Sequence, residues 1–276
     1  MKLTIDGIRF NLLFDDTGLG KGKTPLILLH GFTGTADDWH FIFDKLPAYY
    51  LPIAVDLIGH GDSESPENTD FYSCDAIVGH LNSIIGQLGI SKFILSGYSM
   101  GGRAALSYII KYPSKVKAVI LESTSPGIEE ICAKKQRVEL DLLLADKILR
   151  EGIESFTDFW FDTPLFSTIK KLPGFESEKK KRNRNNPVGL ANILTGFSTG
   201  FMPSYWKRIT SIKQPVLLIS GAFDEKYTGI NKKMNAIFPN SQHYTVADAG
   251  HNVHLEKPMV FTKLVVNFLT TIERQE

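Results

Sequence analysis

The sequence has few cysteines, no excess of charge of either sign and no long apolar run, and each shortage excludes a class of protein. Only Cys74 and Cys132 occur among the 276 residues, and they form no C-x-x-C pattern, which argues against a zinc site or a disulfide scaffold and favours a reducing compartment. The net charge of +1 predicts no nucleic-acid partner, because domains that bind polyanions are strongly basic. No apolar run approaches the roughly 18 residues of a membrane span, and the N-terminus alternates apolar and polar residues, unlike a signal peptide. We therefore expect a cytoplasmic globular enzyme without membrane insertion, while nothing in the sequence indicates an oligomeric state.

Short runs rich in Ile, Val and Leu alternate with segments of helical periodicity along much of the chain. Continuous apolar runs of this length suit strands that are buried on both faces of a parallel sheet. The predicted strands are 25–29, 52–57, 93–96, 116–121, 215–220 and 242–246, preceded by a hairpin of 3–5 and 9–14. The predicted helices are 36–46, 75–88, 101–112 and 258–272. This alternation predicts an α/β fold with a mostly parallel central sheet and helices on both faces.

The alternation stops between residues 126 and 206. Two helix-like segments, 129–150 and 152–161, and a basic, Asn-rich run over 179–186 occupy this stretch, without a comparable strand-like run. Open α/β sheets bind ligands at the carboxyl ends of their strands, where an insertion between two strands would lie. We therefore predict a helical cap over residues 126–206 on a core of residues 1–125 and 207–276. The basic run is expected to be a solvated helix face or loop.

The motif G-x-S-x-G occupies residues 97–101, between a predicted strand and a predicted helix. In this context the serine, Ser99, is expected on a sharp, strained turn that exposes its hydroxyl above the sheet. A serine nucleophile or base needs a histidine, and the histidine needs a carboxylate that orients it. Ser99 is therefore the first candidate catalytic residue.

Two candidates for the partners of Ser99 follow predicted strands in the chain order Ser, Asp, His that this fold uses. Asp224 lies in GAFDEK after the strand 215–220, and His251 lies in ADAGHNVHLEKP after the strand 242–246. Glu225 and Asp248 are alternative carboxylates, and the alternative histidine lies one helical turn after His251 at position 254. We favour Asp224 and His251 because both are expected in loops at strand ends.

The loop 30–34, HGFTG, closes the second buried strand. In this fold such a loop supplies one backbone N–H to an oxyanion hole, and the residue after the nucleophile supplies the other. Phe32 and Met100 are the donors that this rule selects. His30 is expected to stabilise the loop and not to react.

Four motifs, HGFTG, DLIGHGDS, GYSMGG and AGHNVHLEKP, occur in this order, and with them the whole chain resembles the α/β-hydrolase-fold proteins. A narrower resemblance rests on GYSMGGR, LESTSPGIEE, FWFDTPLF, KRNRNNPVGLANIL and GAFDEKYTGI, which are similar to the menaquinone-pathway SHCHC synthases. Those enzymes convert 2-succinyl-5-enolpyruvyl-6-hydroxy-3-cyclohexene-1-carboxylate to 2-succinyl-6-hydroxy-2,4-cyclohexadiene-1-carboxylate (SHCHC) and pyruvate. They are lyases on a hydrolase fold and use no metal or organic cofactor.

The resemblance implies that Ser99 is a proton-abstracting base, activated by His251 with Asp224 behind it. It also implies substrate contacts from five residues: Tyr98, Arg103, Arg137, Trp160 and Arg182. Arg184 is the alternative to Arg182, because it lies only two residues further on.

The residues independently favour a small-molecule carboxylate substrate. Arginine presents a planar fork that matches a carboxylate, which lysine cannot do. Arg103 lies four residues after Ser99, one helical turn from the reacting group. The alternatives are a surface arginine paired with an acid at position 103 and a core aromatic at Trp160.

Three functions remain open from the residues alone. The first is the lyase reaction, and the second is hydrolysis of an ester or a carbon–carbon bond by the same three residues. The third is a ligand receptor that keeps the pocket without turnover, against which the intact Ser, Asp and His argue. Arginines clustered at the cap favour the lyase, and a uniformly apolar cap would favour the hydrolase.

Overall fold

A computed structural model describes residues 1–273 and shows one sheet of eight strands. The strands follow the spatial order β1-β2-β4-β3-β5-β6-β7-β8, and all pairs are parallel except β1 with β2 and β2 with β4. Their bounds are β1 Lys2–Ile5, β2 Ile8–Leu13, β3 Thr24–Leu29, β4 Tyr50–Val55, β5 Phe93–Tyr98, β6 Val116–Glu122, β7 Val216–Gly221 and β8 Ser241–Val246. The predicted strands and the opening hairpin are confirmed to within two residues at their ends.

Helices cover both faces of the sheet, as the alternation predicts. Successive side chains of a strand point to opposite faces, so Ile27 and Leu29 join one apolar cluster and Leu26 and Leu28 join another. The first cluster packs against α1 (Cys74–Gln87) and α2 (Met100–Lys111), and the second packs against α8 (Pro258–Glu273). The sheet is therefore sealed on both sides and leaves only its strand ends open for chemistry.

The predicted helix over residues 36–46 is a 3₁₀ helix, Ala36–Lys45, and not an α-helix. Its first turn closes with a bond from the Asp38 N–H to the Thr35 carbonyl, the three-residue spacing of a 3₁₀ turn. The Asp38 carboxylate in turn accepts the Thr35 N–H, which fixes this tight start. Helical type depends on such local bonds, which apolar periodicity does not report.

Residues 126–206, called the cap below, contain α3 (Ile131–Asp162), α4 (Phe175–Arg182) and α5 (Pro187–Phe197), all inserted between β6 and β7. Gly152 interrupts α3 with φ 81° and ψ 172°, a conformation that glycine adopts without a Cβ penalty. The interruption falls at the first residue of the second predicted helical segment, 152–161. Within the cap, all of which the structure describes, no strand is present.

The remaining α-helices are α6 (Glu225–Ile237) after β7 and the short α7 (Val253–Glu256) after β8. Each begins just beyond a residue that the sequence predicts to be catalytic. Parallel strands end at one edge of the sheet, so the loops after β5, β7 and β8 lie on the same side, facing the cap.

Candidate active site

Ser99 alone joins β5 to α2, because the strand ends at Tyr98 and the helix begins at Met100. Its backbone has φ 49° and ψ −103°, a conformation that non-glycine residues rarely adopt. The neighbouring glycines are required sterically, since a Cβ at Gly97 would lie 2.3 Å from the Gly101 carbonyl oxygen. The expected strained turn is present, and it holds the Ser99 hydroxyl above the sheet edge.

Ser99, His251 and Asp224, called the triad below, form a continuous hydrogen-bonded chain. The Asp224 Oδ2 lies 2.6 Å from His251 Nδ1, and His251 Nε2 lies 3.1 Å from Ser99 Oγ. An ionised carboxylate only accepts, so Nδ1 carries the proton and Nε2 is left to accept the Ser99 hydroxyl proton. The alternative carboxylates Glu225 and Asp248 are exposed and make no such contact with His251 among the described residues. The geometry therefore selects Asp224.

The loop that carries His251 is held by a glutamate that sequence reasoning missed. Glu256 Oε2 accepts the Gly250 N–H at 2.8 Å, and its Oε1 accepts the Asn252 N–H at 3.3 Å. The two bonds fix the backbone on both sides of His251. A carboxylate five residues after the histidine, in a short helix, was the available signal.

The alternative histidine, His254, belongs to a separate buried pair. Its Nδ1 lies 2.7 Å from Glu122 Oε2, its backbone N–H donates to Glu122 Oε1, and its ring stacks on Trp39. Both members of the pair are at most 1% exposed. Because His254 makes its bonds away from Ser99, it is not positioned to act as the base.

The predicted oxyanion donors lie beside Ser99. Phe32 and Met100 line the same cavity as the serine, and Met100 is the first residue of α2, where a backbone N–H has no partner within the helix. The loop that carries Phe32 is tied by His30, whose Nε2 accepts the Leu57 N–H at 3.0 Å. Burial lowers the pKa of His30, which keeps the ring neutral and able to accept this bond. His30 thus stabilises the loop, as expected.

The cavity at Ser99, called the inner cavity below, has a volume of about 70 Å³ and lies under the cap. Of the five predicted substrate residues, three reach it: Arg103, Arg137 and Trp160. The other lining residues are Phe32, Ser99, Met100, Leu165, Ile193, Leu194, Ser198 and Tyr227. The structure does not bring Tyr98 or Arg182 to its wall.

Arg103 is a buried cation whose donors are only partly used. Its Nη2 donates to the Phe197 carbonyl at 3.3 Å, and its Nε has no hydrogen-bond partner among residues 1–273. Burial lowers the pKa of Arg103 to about 10, which still leaves it charged at neutral pH. A charged donor without a partner beside a serine is suited to bind an anionic group. Arg103 is therefore not the surface ion pair that was its alternative.

Trp160 and Tyr98 hold different positions. Trp160 lines the inner cavity, stacks on Phe156, and has a buried indole N–H without a hydrogen-bond partner among the described residues. The ring of Tyr98 lies behind the triad, 5.3 Å from His251 and 4.9 Å from His254 between ring centres. Burial raises the pKa of Tyr98 well above its usual value, so its phenol is neutral. Trp160 is open to a ligand, while Tyr98 packs against the base.

The two cap arginines are each paired with a carboxylate. Arg137 Nε donates to both oxygens of the buried Asp141 at 2.8 Å, while the arginine itself still lines the cavity. Arg182 is fully buried and makes a two-pronged bond to Asp38, with distances of 2.7 and 3.0 Å. The expected solvated character of the basic run is therefore wrong at position 182, where the pairing with Asp38 withdraws the charge from water. Arg184 is exposed at a different, polar pocket of about 80 Å³.

Among residues 1–273, no group of three or more His, Cys, Asp or Glu side chains is placed to hold a metal ion. In the same residues, no helix combines the length and apolar character that crossing a membrane requires.

Comparison with known proteins gives the family of the chain. Residues 24–258 match the α/β-hydrolase fold family. A Bacillus subtilis (strain 168) protein proposed as a 2-succinyl-6-hydroxy-2,4-cyclohexadiene-1-carboxylate synthase is 42% identical over 97% of both chains. The synthase of that name from Enterobacter sp. (strain 638) is 29% identical, covering 94% of this chain and 96% of its own length.

Solved structures extend the comparison. MenH from S. aureus is 32% identical, with a TM-score of 0.89, over 96% of this chain and 98% of that chain. The enol-lactonase from Burkholderia xenovorans LB400 shares the fold, with a TM-score of 0.84 over 98% and 100% of the two chains, but is only 21% identical. The chain therefore belongs to the α/β-hydrolase fold family and, within it, to the family of the 2-succinyl-6-hydroxy-2,4-cyclohexadiene-1-carboxylate synthases.

Proposed function

We propose that the protein is a carbon–oxygen lyase that eliminates pyruvate from 2-succinyl-5-enolpyruvyl-6-hydroxy-3-cyclohexene-1-carboxylate to give SHCHC in menaquinone biosynthesis. The observation that carries the proposal is the placement of a buried, incompletely paired Arg103 in the same small cavity as the Ser99 hydroxyl. A substrate with several carboxylates needs such a fixed cation beside the reacting serine. The names of the 42% and 29% identical relatives support the same reaction.

In this proposal Ser99 acts as a base and not as a nucleophile. His251 Nε2 accepts the hydroxyl proton of Ser99 while Ser99 Oγ accepts the proton from the substrate carbon. Positive charge then develops on His251, and Asp224, 2.6 Å from Nδ1, stabilises it.

The remaining electrons move within the substrate. Loss of a proton next to a carbonyl-type group builds negative charge on oxygen, which the N–H groups of Phe32 and Met100 stabilise. The electron pair of the broken C–H bond forms a new C=C bond, and the C–O bond to the enolpyruvyl group breaks. Pyruvate leaves as its enolate, and the proton that His251 gained is returned to the enolate, which restores the neutral histidine and the Ser99 hydroxyl. No water attacks and no acyl-enzyme forms, and the proposal requires no metal or organic cofactor.

The substrate contacts in the proposal are those that the resemblance implies. Arg103 and Arg137 bind carboxylates from the cavity wall, and Trp160 contributes its free indole N–H. Tyr98 does not line the inner cavity, and in this proposal its ring supports His251 from the side away from the substrate. Arg182 reaches substrate only if its pairing with Asp38 loosens, so its contact depends on a movement of the cap.

We also place the protein in the cytoplasm, which suits its two cysteines. Both Cys74 and Cys132 are free thiols, and Cys132 is exposed. An exposed free thiol is stable in a reducing compartment. The partner in this proposal is the small-molecule carboxylate substrate, with no nucleic acid and no membrane insertion.

The experiment is coupled detection of pyruvate from the authentic cyclohexene substrate, with intact-mass spectra of enzyme quenched during turnover. The proposal predicts pyruvate release and an unmodified protein mass. Hydrolase action is the competing outcome: it would appear as a substrate-derived adduct on Ser99 that water later discharges. Absence of pyruvate release would also overturn the proposal.

A further inference from the structure

The candidate site consists of two cavities that share a wall. The inner cavity of about 70 Å³ contains Ser99, and an outer cavity of about 390 Å³ opens beside Asp224. Three residues line both cavities and form the wall between them: Arg137, Leu165 and Tyr227. Pockets for small ligands usually measure about 300–1,000 Å³, so the inner cavity alone is too small for a ring with two side chains. A substrate of that size extends past these three residues.

The three wall residues offer different chemistry to such a substrate. Leu165 offers only apolar contact. Arg137 already directs its Nε at both oxygens of Asp141. Tyr227 therefore adds a phenol hydroxyl to the wall, beside the guanidinium of Arg137.

Tyr227 is held rigidly at this position. It lies in the first turn of α6, where its backbone N–H donates to Asp224 Oδ1 at 3.1 Å. Its ring packs 4.5 Å from the His251 ring, and the residue is 8% exposed. The backbone bond and the ring contact leave the hydroxyl little freedom, and that hydroxyl has no hydrogen-bond partner among residues 1–273.

The electrostatics agree with this placement. Burial lowers the pKa of Arg103; after burial, the two largest influences on this pKa are Tyr227, which raises it, and Arg137, which lowers it. The pKa of Arg137 is raised through Asp141 and, to a smaller degree, through Tyr227, against the effect of its burial. The phenol is therefore within electrostatic range of both arginines that face the cavity.

We propose that Tyr227 is a specificity-determining residue, whose hydroxyl donates a hydrogen bond to a substrate carboxylate held between Arg103 and Arg137; this rests on the proposed lyase function. A carboxylate has about four acceptor positions, so it can take bonds from both arginines and a phenol together. A residue that only packed against His251 would need no hydroxyl, whereas a hydroxyl on a residue that lines both cavities can reach a ligand there. The ligand class is a compact molecule with two or more carboxylates.

The test removes the hydroxyl and keeps the ring. Tyr227→Phe should raise KM for the cyclohexene substrate about tenfold to a hundredfold and change kcat by less than about twofold, the range for a hydrogen bond to a charged group. Tyr244→Phe is the matched control, since it removes a phenol from an exposed position on β8 and should change neither constant. An unchanged KM would overturn the proposal, and so would a fall in kcat at constant KM, because that split would mean Tyr227 acts through His251.

A binding measurement separates this proposal from the function on which it rests. Isothermal titration calorimetry with tricarballylate, a small tricarboxylate, reports the anion site without turnover. We expect tricarballylate to bind the wild type and the Tyr244→Phe variant equally and the Tyr227→Phe variant about tenfold or more weakly. If the wild type released no pyruvate, the lyase function would fail while this comparison still decided the role of Tyr227. Equal affinities, or no binding to the wild type, would overturn the carboxylate site.

Discussion

The core and the cap hold their charged groups in different ways. In the core, the three triad residues form hydrogen bonds with one another. The Nε of Arg103 has no hydrogen-bond partner in the described part of the chain. In the cap, both arginines that the sequence assigns to substrate already have a carboxylate: Arg137 has Asp141, and Arg182 has Asp38. The fold alone accounts for the cap pairs, whereas the incomplete bonding of Arg103 calls for a ligand.

The physical reason for this contrast is the cost of burial. Removing a charge from water is expensive unless a partner and further hydrogen bonds replace the solvent. A cap arginine meets that cost through a neighbouring acid, and its replacement should therefore damage the fold. Arg103 meets it only in part, so the free enzyme bears a cost that a bound carboxylate relieves. Four predictions test this division, and the largest effect is expected at the triad.

Ser99→Ala and His251→Ala should each lower kcat for pyruvate release by about a thousandfold or more and leave the folded structure unchanged. Glu256 fixes the backbone on both sides of His251, and the Ser99 backbone N–H donates to the Glu122 carbonyl, so neither backbone depends on the side chain that is replaced. Asp224→Asn should lower kcat by the same factor as these two substitutions or by a smaller one. It removes the group that orients His251 and stabilises its positive charge, but it leaves the histidine itself in place. Steady-state kinetics together with circular dichroism spectra measure both parts of the prediction.

His254→Gln is the control for the histidine assignment. Glutamine can still donate to Glu122, and His254 makes its contacts away from Ser99. This variant should keep most of the turnover and lose some stability. If it abolished activity while His251→Ala did not, the assignment of the base would be wrong.

The fold and the triad were accessible from the sequence because both depend on local patterns. The strands β3 to β7 are continuous apolar runs, and the glycines of residues 97–101 stand where the elbow turn leaves no room for a Cβ. Asp224 and His251 follow strands, so parallel topology alone brings them to one edge. Local pattern and global topology agree here, and such agreement makes a site predictable.

The pairing of charges was not accessible in the same way. Arg182 and Asp38 are 144 residues apart, and no periodicity links them. Asp141 could have been found, since it lies four residues after Arg137 on the predicted helix. Tyr227 also had a signal, a position three residues after Asp224 that places it on the same side of one helical turn. Long-range side-chain pairs depend on how the cap packs on the core, which the sequence pattern does not encode.

Arg182→Met should destabilise the protein by about 3–5 kcal/mol, because it leaves the Asp38 carboxylate buried without its partner. The double variant Asp38→Asn/Arg182→Met should recover much of the loss, since it removes both charges. Urea denaturation measures the free energy of unfolding. Arg150→Met is the matched control, as it breaks an exposed pair with Asp146 on α3 and should have a much smaller effect.

The double variant also separates the two roles open to Arg182. If its kcat/KM remains low once stability is restored, Arg182 contacts substrate as the resemblance implies. Recovery of both quantities would limit Arg182 to holding the cap on the core. If the Arg182→Met variant were as stable as the wild type, the pairing of Arg182 with Asp38 would not stabilise the fold. The proposed difference between the paired cap arginines and Arg103 would then be wrong.

Arg103→Met and Arg137→Met should separate activity from stability in opposite ways. Arg103→Met should lower kcat/KM about tenfold to a hundredfold, the range for bonds to charged groups, without lowering the melting temperature. Arg137→Met should lower kcat/KM less and reduce stability, because Asp141 is fully buried and loses its partner. Steady-state kinetics and thermal unfolding of the same samples measure the effect of each variant on activity and on stability. A larger stability loss at Arg103 than at Arg137 would contradict the division between core and cap.

The smallest effect expected is a dependence of stability on pH between about 7.5 and 5.5, which should belong to the core alone. The cap contains no histidine, whereas burial lowers the pKa of His30 and His60 in the core loops. A histidine with a lowered pKa in the folded state binds fewer protons there than in the unfolded chain, so stability is present above the unfolded value of about 6.5 and falls as the pH drops below it. Each such group contributes at most about 1.4 kcal/mol per pH unit.

His60→Asn, which can keep the bond to the Ile58 carbonyl, should flatten the slope of unfolding free energy against pH, and His40→Asn at an exposed position should not. The same slope in both variants would mean that His60 makes no contribution and that acid sensitivity arises elsewhere.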